Sequence, residues 1–132
     1  MTHSNYYTHQ ITVAAADIDT MGHVNNVVYL RYVQEAATAH WLAVADEAIK
    51  AAVLWVVLRH EIDYHAPAFV NETLTAKTWV GETGGVKSVR FVEIRNAAGK
   101  LIIKARTVWC MLDAETQKPK RIEPGMMQPF MG

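Results

Sequence analysis

The chain has 132 residues, of which 51% are hydrophobic and 20% are charged, a composition that excludes disorder as the default state. Thirteen basic residues balance thirteen acidic ones, and this zero net charge gives no indication of a nucleic-acid partner. No signal peptide is evident, and no apolar run approaches the roughly 18 residues of a membrane-spanning helix. The lone Cys110 allows no internal disulfide, as in a reducing compartment. These features predict one domain over residues 1–132 in a soluble cytoplasmic protein without a membrane partner.

The first predicted element is a strand, because apolar and polar residues alternate from about Tyr7 to Ala16. A polar decapeptide, Asp17-Ile-Asp-Thr-Met-Gly-His-Val-Asn-Asn26, follows it. Residues 27–45 then show the pattern of a long helix whose few polar side chains gather on one side. We expect this helix to be buried over more than half its surface and to take its N-cap from one of the two asparagines that end the decapeptide.

Four further strands are predicted in the second half of the chain. Residues 52–58 form a continuous apolar run, which is typical of a strand covered on both faces, and the strand continues to about residue 65. Alternating segments follow at residues 72–80, 86–95 and 101–112, joined by glycine-containing turns. A shift of apolar parity between Phe91 and Val92 predicts a bulge. This order predicts an α+β protein, an antiparallel sheet that holds a central helix.

The decapeptide brings two carboxylates, an imidazole, a glycine and two carboxamides to the start of that helix. The first N–H groups of a helix lack internal partners and favour negative charge. A carboxylate beside them offers a base or nucleophile together with a place to hold a developing oxyanion. This combination points to acyl transfer or hydrolysis.

The decapeptide, followed by Tyr29-x-x-Tyr32-x-x-Glu35, resembles the motif of the hotdog-fold thioesterases. The branch that it resembles most is the 4-hydroxybenzoyl-CoA thioesterase-like group, and His23-Val-Asn-Asn26 is similar to a stretch of the plant acyl-ACP thioesterases. The resemblance extends from about Tyr7 to Leu112. It implies a hotdog fold, in which a five- or six-stranded antiparallel sheet wraps around one long helix. It also implies a homodimer or homotetramer with active sites at the subunit interface.

The resemblance further implies a hydrolase that cleaves an acyl thioester without a metal or organic cofactor. The expected substrate is acyl-CoA, and an acyl carrier protein thioester is the alternative. Carried over onto this chain, it assigns the catalytic carboxylate to Asp19, as nucleophile or as base for a water. It assigns proton transfer to His23, and the donor to the carbonyl oxygen to the backbone N–H of Asn26. Asp17, Gly22 and Asn25 match motif positions that shape the substrate-binding loop.

Other interpretations of the same residues stay open at this point. Asp19 is also suited to helix capping, Asp17 to turn formation and His23 to hydrogen bonding with loop backbone. Alternative functions for a hotdog protein are a dehydratase or a non-catalytic subunit that binds acyl thioesters.

Two clusters of residues outside the decapeptide each have a functional and a purely structural interpretation. Glu61, Asp63 and His65 share one face of a predicted strand, where they could hold a metal, although a solvated surface is the simpler explanation. Four basic residues on adjacent predicted strands form either a patch for CoA phosphates or a solvated strand face. They are Lys87, Arg90, Lys104 and Arg106.

Overall fold

The structure, a computed structural model, describes residues 5–131. Its five strands are β1 (Tyr7–Thr12), β2 (Val53–Tyr64), β3 (Thr73–Gly84), β4 (Lys87–Arg95) and β5 (Leu101–Asp113). Its helices are α1 (Val28–Val44) and α2 (Glu47–Ala52), with short 3-10 turns at Ala15–Asp17 and Pro124–Phe130. The strands form one antiparallel sheet in the order β1-β3-β4-β5-β2. No helix within residues 5–131 is long and apolar enough to cross a membrane.

Helix α1 packs against the sheet through its apolar side, as its sequence pattern predicts. Tyr32, Val33 and Ala36 are buried and belong to a core cluster that includes Leu74 and Ile94 of the sheet. Burial of one such large side chain stabilises the fold by about 1.5–3 kcal/mol. This packing fixes α1, and hence its N-terminus, relative to the strands.

The first strand is shorter than its sequence pattern predicts. β1 ends at Thr12, and residues 15–17 form a 3-10 turn instead of continuing the strand to Ala16. The turn is closed by Asp17, whose backbone N–H donates to Ala14 O at 3.0 Å and whose Oδ2 accepts from Ala14 N at 3.2 Å. Alternation of small alanines carried too little information to reveal this turn, because alanine has no strand preference.

The predicted N-cap is also wrong in its position. Val27 is the N-cap of α1 and provides no side-chain hydrogen bond. Asn25 serves the helix from two residues earlier, because its Oδ1 accepts from Val27 N at 3.1 Å and its carbonyl accepts from Val28 N at 2.9 Å. The asparagine therefore organises the entry to the helix without occupying the N-cap itself.

Strand β2 is covered on one face only, contrary to the expectation from its apolar run. It lies at the edge of the sheet, and three side chains point away from the core: Leu54, Val56 and Leu58 are 43%, 39% and 53% exposed. On the other face of the strand, Val53 is buried and Trp55 is half-buried. An apolar edge strand of this kind is a template for pairing with another chain.

The bulge predicted between Phe91 and Val92 is absent, because β4 keeps a continuous register with β5 from Lys87 to Ile94. Phe91 lies on the outer face of the sheet and stacks on Trp79 at 5.6 Å, so its apolar character reflects that contact. It also covers Gly81, where an added Cβ would lie 2.6 Å from the Phe91 ring. Irregularities in register lie instead between Val80 and Thr83 and between Ile94 and Arg95.

The regular alternation of β4 turns Arg90 towards the helix. Arg90 is only 7% exposed, so its assignment to a basic surface patch is wrong. The other three members of that set, Lys87, Lys104 and Arg106, are exposed or half-buried.

The segment after β5, which the sequence did not place, packs onto a second core cluster. Lys120 N donates to Met111 O and Ile122 N donates to Gly85 O, so the segment runs along the sheet. Met127 and Phe130 of the last 3-10 turn are buried in this cluster. The tail therefore closes the end of the core that lies away from the decapeptide.

Candidate active site

The decapeptide folds as a compact loop closed by backbone hydrogen bonds. Ile18 and Val24 form an isolated antiparallel bridge, and Asp19 N donates to His23 O at 2.9 Å. A turn between them is closed by Gly22 N, which donates to Asp19 O at 3.1 Å. Gly22 has a φ of 85°, a left-handed conformation that favours glycine over residues with a Cβ. The loop therefore presents its polar side chains from a fixed backbone.

Asp19 has one engaged and one available carboxylate oxygen. Its Oδ1 accepts from Met21 N at 2.9 Å, which orients the side chain within the turn. We find no donor to Oδ2 within residues 5–131, and the side chain is 26% exposed. A carboxylate held in this way can attack a carbonyl or deprotonate a water.

The His23 ring lies next to this carboxylate. Its Nδ1 is 3.9 Å from Asp19 Oδ1, which is longer than a hydrogen bond, and the side chain is 34% exposed. No hydrogen bond from the ring to backbone is found in the described part of the chain. The ring nitrogens of His23 are therefore available to a group placed beside the Asp19 carboxylate.

The backbone N–H of Asn26, just before α1, differs from those of the two residues on each side of it. The N–H groups around Asn26 are all engaged: Val24 N donates to Ala68 O, Asn25 N to Asp17 O, Val27 N to Asn25 Oδ1 and Val28 N to Asn25 O. Asn26 N has no acceptor among residues 5–131. The first turn of α1 contains no acidic residue, so the positive end of the helix is not neutralised there. A free N–H in this position is able to donate to an oxyanion.

Tyr64 supports the same peptide from the sheet, a contact that the sequence analysis missed. Its hydroxyl donates to Asn26 O at 3.3 Å. Tyr64 ends strand β2, and nothing in the strand pattern distinguishes it from other half-exposed tyrosines. The contact joins the sheet edge to the loop that carries Asp19.

Asp17 is buried beneath the loop, with 3% exposure. Its Oδ1 accepts from Arg31 Nη2 at 2.8 Å, and its Oδ2 accepts from Tyr32 OH at 2.7 Å. Burial raises its pKa, but the hydrogen bonds from Tyr32, Arg31 and Ala14 outweigh burial, and the pKa is lowered. Arg31 also pairs with Glu35 at 3.2 Å, as the i, i+4 spacing predicts. The carboxylate of Asp17 therefore anchors the loop to α1.

The Glu61, Asp63 and His65 set does not form a metal centre. Glu61 pairs with Arg59 at 3.0 Å and lies 3.7 Å from Arg106. Within residues 5–131 no group of three or more His, Cys, Asp or Glu side chains is arranged to hold a metal ion. All three side chains are exposed, and Glu61 is ion-paired with residues of β2 and β5.

Comparison with protein families gives a match over nearly the whole chain. The model of the acyl-ACP thioesterase N-terminal domain matches residues 4–130. The putative acyl-CoA thioesterase YneP of Bacillus subtilis (strain 168) is 32% identical over 113 residues, which is 83% of this chain and 82% of that protein. The long-chain acyl-CoA thioesterase FadM of Escherichia coli (strain K12) is 24% identical over 123 residues, 86% of this chain and 89% of that protein.

Solved structures have the same fold. Slr0204, a 1,4-dihydroxy-2-naphthoyl-CoA thioesterase from Synechocystis, superposes with a TM-score of 0.80 at 18% identity, over 96% of both chains. The probable thioesterase YbaW from Escherichia coli superposes with a TM-score of 0.77 at 24% identity, over 92% of this chain and 94% of that chain. The five-stranded antiparallel sheet around a long helix is thus the hotdog fold, as the sequence predicts.

Proposed function

This chain belongs to the acyl-ACP thioesterase family and is a thioesterase, and we propose that it hydrolyses acyl-CoA with Asp19 as its catalytic carboxylate. Water supplies the oxygen, the C–S bond breaks, and the proton passes to the departing thiolate, which leaves a free acid and CoA. CoA as the carrier is supported by the names of the two relatives that match over most of their own length, both acyl-CoA thioesterases.

The observation that carries this proposal is the free N–H of Asn26 in a loop that also presents the open oxygen of Asp19. A thioester carbonyl that accepts from Asn26 N would sit at the positive end of α1, where developing negative charge is stabilised. One oxyanion donor of this kind typically raises kcat by a factor of about 10²–10³. Asp19 then acts on the polarised carbon directly or through a water.

His23 completes the proposed chemistry as the group that moves the proton. Once Asp19 has taken a proton from water, the His23 ring nitrogen, 3.9 Å from Asp19 Oδ1, can accept that proton and donate it to the departing thiolate sulfur. Asn25 and Gly22 would shape the loop around the substrate, and the buried, hydrogen-bonded Asp17 would hold it in place. Its burial supports a positioning role for Asp17 over direct substrate contact.

We also propose that the protein functions as a homodimer that pairs through β2, or as a tetramer of such dimers. The apolar row of Leu54, Val56 and Leu58 on an edge strand supports this assembly. Tyr64 lies on the same strand and contacts Asn26 O, so pairing at β2 would also stabilise the position of the Asn26 peptide.

A thiol-release assay tests the proposed reaction. We expect CoA to be released from at least one member of a panel of short, long and aromatic acyl-CoAs, and faster than the carrier is released from the matching acyl-ACP. No hydrolysis of any acyl-CoA, or faster hydrolysis of the acyl-ACP, would contradict the proposed substrate. Hydration of an enoyl-CoA in the same preparation would indicate a dehydratase instead.

A further inference from the structure

A cavity of about 250 Å³ lies between α1 and strands β2, β4 and β5. Its lining includes Ala37 and Trp41 of α1, which places it roughly 14–20 Å along the helix axis from Val28. Thr38 and Leu54 also line it and are exposed, so the cavity opens to the surface on that side. Its walls are mostly apolar and carry three tryptophans, Trp41, Trp55 and Trp109.

Arg90 is the charged residue in this lining. Its Nη1 donates to His40 Nδ1 at 2.8 Å and to Thr78 Oγ1 at 3.1 Å. Burial lowers the pKa of Arg90 to about 10, which leaves the guanidinium charged at neutral pH. Burial and the charge of Arg90 lower the pKa of His40 to about 4, so its partner is neutral.

The positive charge of Arg90 has no acidic partner among residues 5–131. No Asp or Glu within residues 5–131 pairs with it, and Nη2 and Nε make no hydrogen bond in that part of the chain. A buried cation ordinarily has an anionic partner, because an unpaired charge in the interior is costly. The site is therefore suited to a negatively charged hydrogen-bond acceptor that comes from outside the chain.

Two further lining residues show the same excess of donors. The indole N–H groups of Trp55 and Trp109 are buried without an acceptor in the described structure. Buried donors are nearly always satisfied in native proteins. Two tryptophans of the cavity wall thus carry unpaired N–H groups, and Arg90 keeps Nη2 and Nε without an acceptor in the described part of the chain.

We propose that this cavity binds a carboxylate carried on an apolar chain, with the carboxylate against Arg90. The chain fits the apolar walls, and the volume equals that of about eight water molecules. Two sources could supply the group: the far end of an ω-carboxyacyl thioester, or a free fatty acid. The first source rests on the proposed function, because the acyl chain would run along α1 from a thioester held near Asn26.

Kinetics with matched thioesters test the first source. Pairs of acyl-CoAs with equal carbon number, one ending in a methyl group and one in a carboxylate, are compared over a series of chain lengths. We expect kcat/KM of the wild type to favour the carboxylate end at one or more lengths by about tenfold or more, the usual size of a charge-assisted hydrogen bond. Arg90→Met should abolish the preference, and Arg95→Met, on the same strand outside the cavity, should retain it.

A pair of variants at the mouth covers the case in which Arg90→Met does not fold. Thr38 is exposed, so both Thr38→Glu and Thr38→Gln should be tolerated. The glutamate places a negative charge beside the cavity and should lower kcat/KM for carboxylate-ended substrates only. The isosteric glutamine should leave the preference as in the wild type.

Binding of free octanoate, with octanol as the control, tests the second source. Tryptophan fluorescence reports it directly, because three tryptophans line the cavity. Octanoate binding that Arg90→Met removes, without a kinetic preference, would assign the cavity to free acid. Equal rates on both thioester ends together with Arg90-independent octanoate binding would overturn the proposal. An enzyme inactive on every thioester would refute the proposed function, while this binding assay would still test the cavity.

Discussion

Tyr32 of α1 donates a hydrogen bond of 2.7 Å to the buried carboxylate of Asp17. Arg31 donates to the second carboxylate oxygen, so two consecutive helix residues hold one side chain of the preceding loop. Asn25 lies between Asp17 and α1 in sequence, and its backbone N–H donates to the Asp17 carbonyl at 2.9 Å. The loop that carries Asp19 and the free Asn26 N–H is therefore joined to α1 through Asp17.

Removal of the charge at Asp17 should destabilise the protein. Asp17→Asn keeps the volume but weakens both charge-assisted bonds, and we expect a loss of about 1–3 kcal/mol in the free energy of unfolding, measured by urea denaturation. Glu35→Gln is the control, because Glu35 pairs with Arg31 on the exposed side, where a bond contributes about 0–1 kcal/mol. Equal stability of Asp17→Asn and wild type would contradict an anchoring role.

The stability of the protein should fall as the pH is lowered from about 6.5 towards 4. His40 is 1% exposed, and its pKa is lowered from 6.5 to about 4 by burial and by Arg90. Between these values the unfolded chain binds more protons than the folded one, so acid favours unfolding by up to about 1.4 kcal/mol per pH unit. Urea denaturation of wild type and His40→Gln across this range measures the effect.

The glutamine in that variant keeps an acceptor for Arg90 but does not titrate. Its stability should therefore fall less with pH than that of the wild type. His60, whose pKa is also lowered by burial, contributes with the same sign to both proteins. The difference between the two pH profiles isolates His40, and parallel profiles would show that His40 does not titrate in this way.

The fold could be predicted from this sequence where periodicity and turns agreed. The helix predicted over residues 27–45 is observed at Val28–Val44, and the hairpin at Asn96–Gly99 is closed by Gly99 N with a φ of 85° at the glycine. The apolar run of β2 gave a wrong prediction, because an apolar edge strand has the same sequence pattern as a strand covered on both faces.

The site could be predicted only in part, because its long-range contacts leave no local pattern. The decapeptide located the loop and its residue types. The contact from Tyr64 to Asn26 O spans 38 residues, and the bond between Arg90 and His40 spans 50. Arg90 in a strand pattern is typical of a surface position, so its burial could be found only from the tertiary structure.

Replacement of the proposed catalytic carboxylate should remove most of the activity. We expect Asp19→Asn to lower kcat by about 10²–10⁴, the usual contribution of a general base, with little change in unfolding free energy because the side chain is partly exposed. Asp63→Asn is the matched control, an exposed acid on β2. Thiol release with saturating acyl-CoA measures kcat. Activity of Asp19→Asn within a few-fold of the control would refute the assignment.

His23 should act together with Asp19 and not independently. His23→Gln is expected to lower kcat, and the double variant Asp19→Asn/His23→Gln should be no slower than Asp19→Asn alone, since residues that act as a unit are non-additive. The same thiol-release assay compares the four proteins. Strictly multiplicative losses would show that the imidazole acts at a separate step.

Assembly through the edge strand should be broken by one charge in its apolar row. Val56 lies in the middle of the row and is 39% exposed, so Val56→Lys would place an ammonium group where an apolar partner is expected. The wild type should be a dimer or tetramer by size-exclusion chromatography with light scattering, and the variant a monomer. Leu42→Lys, at an apolar site 58% exposed on α1, controls for the added charge.

The loss of pairing should also lower activity. Because Tyr64 of β2 contacts Asn26 O, we expect the Val56→Lys monomer to hydrolyse acyl-CoA more slowly than the Leu42→Lys protein. A monomeric wild type, or a Val56→Lys protein of unchanged mass, would contradict pairing through β2.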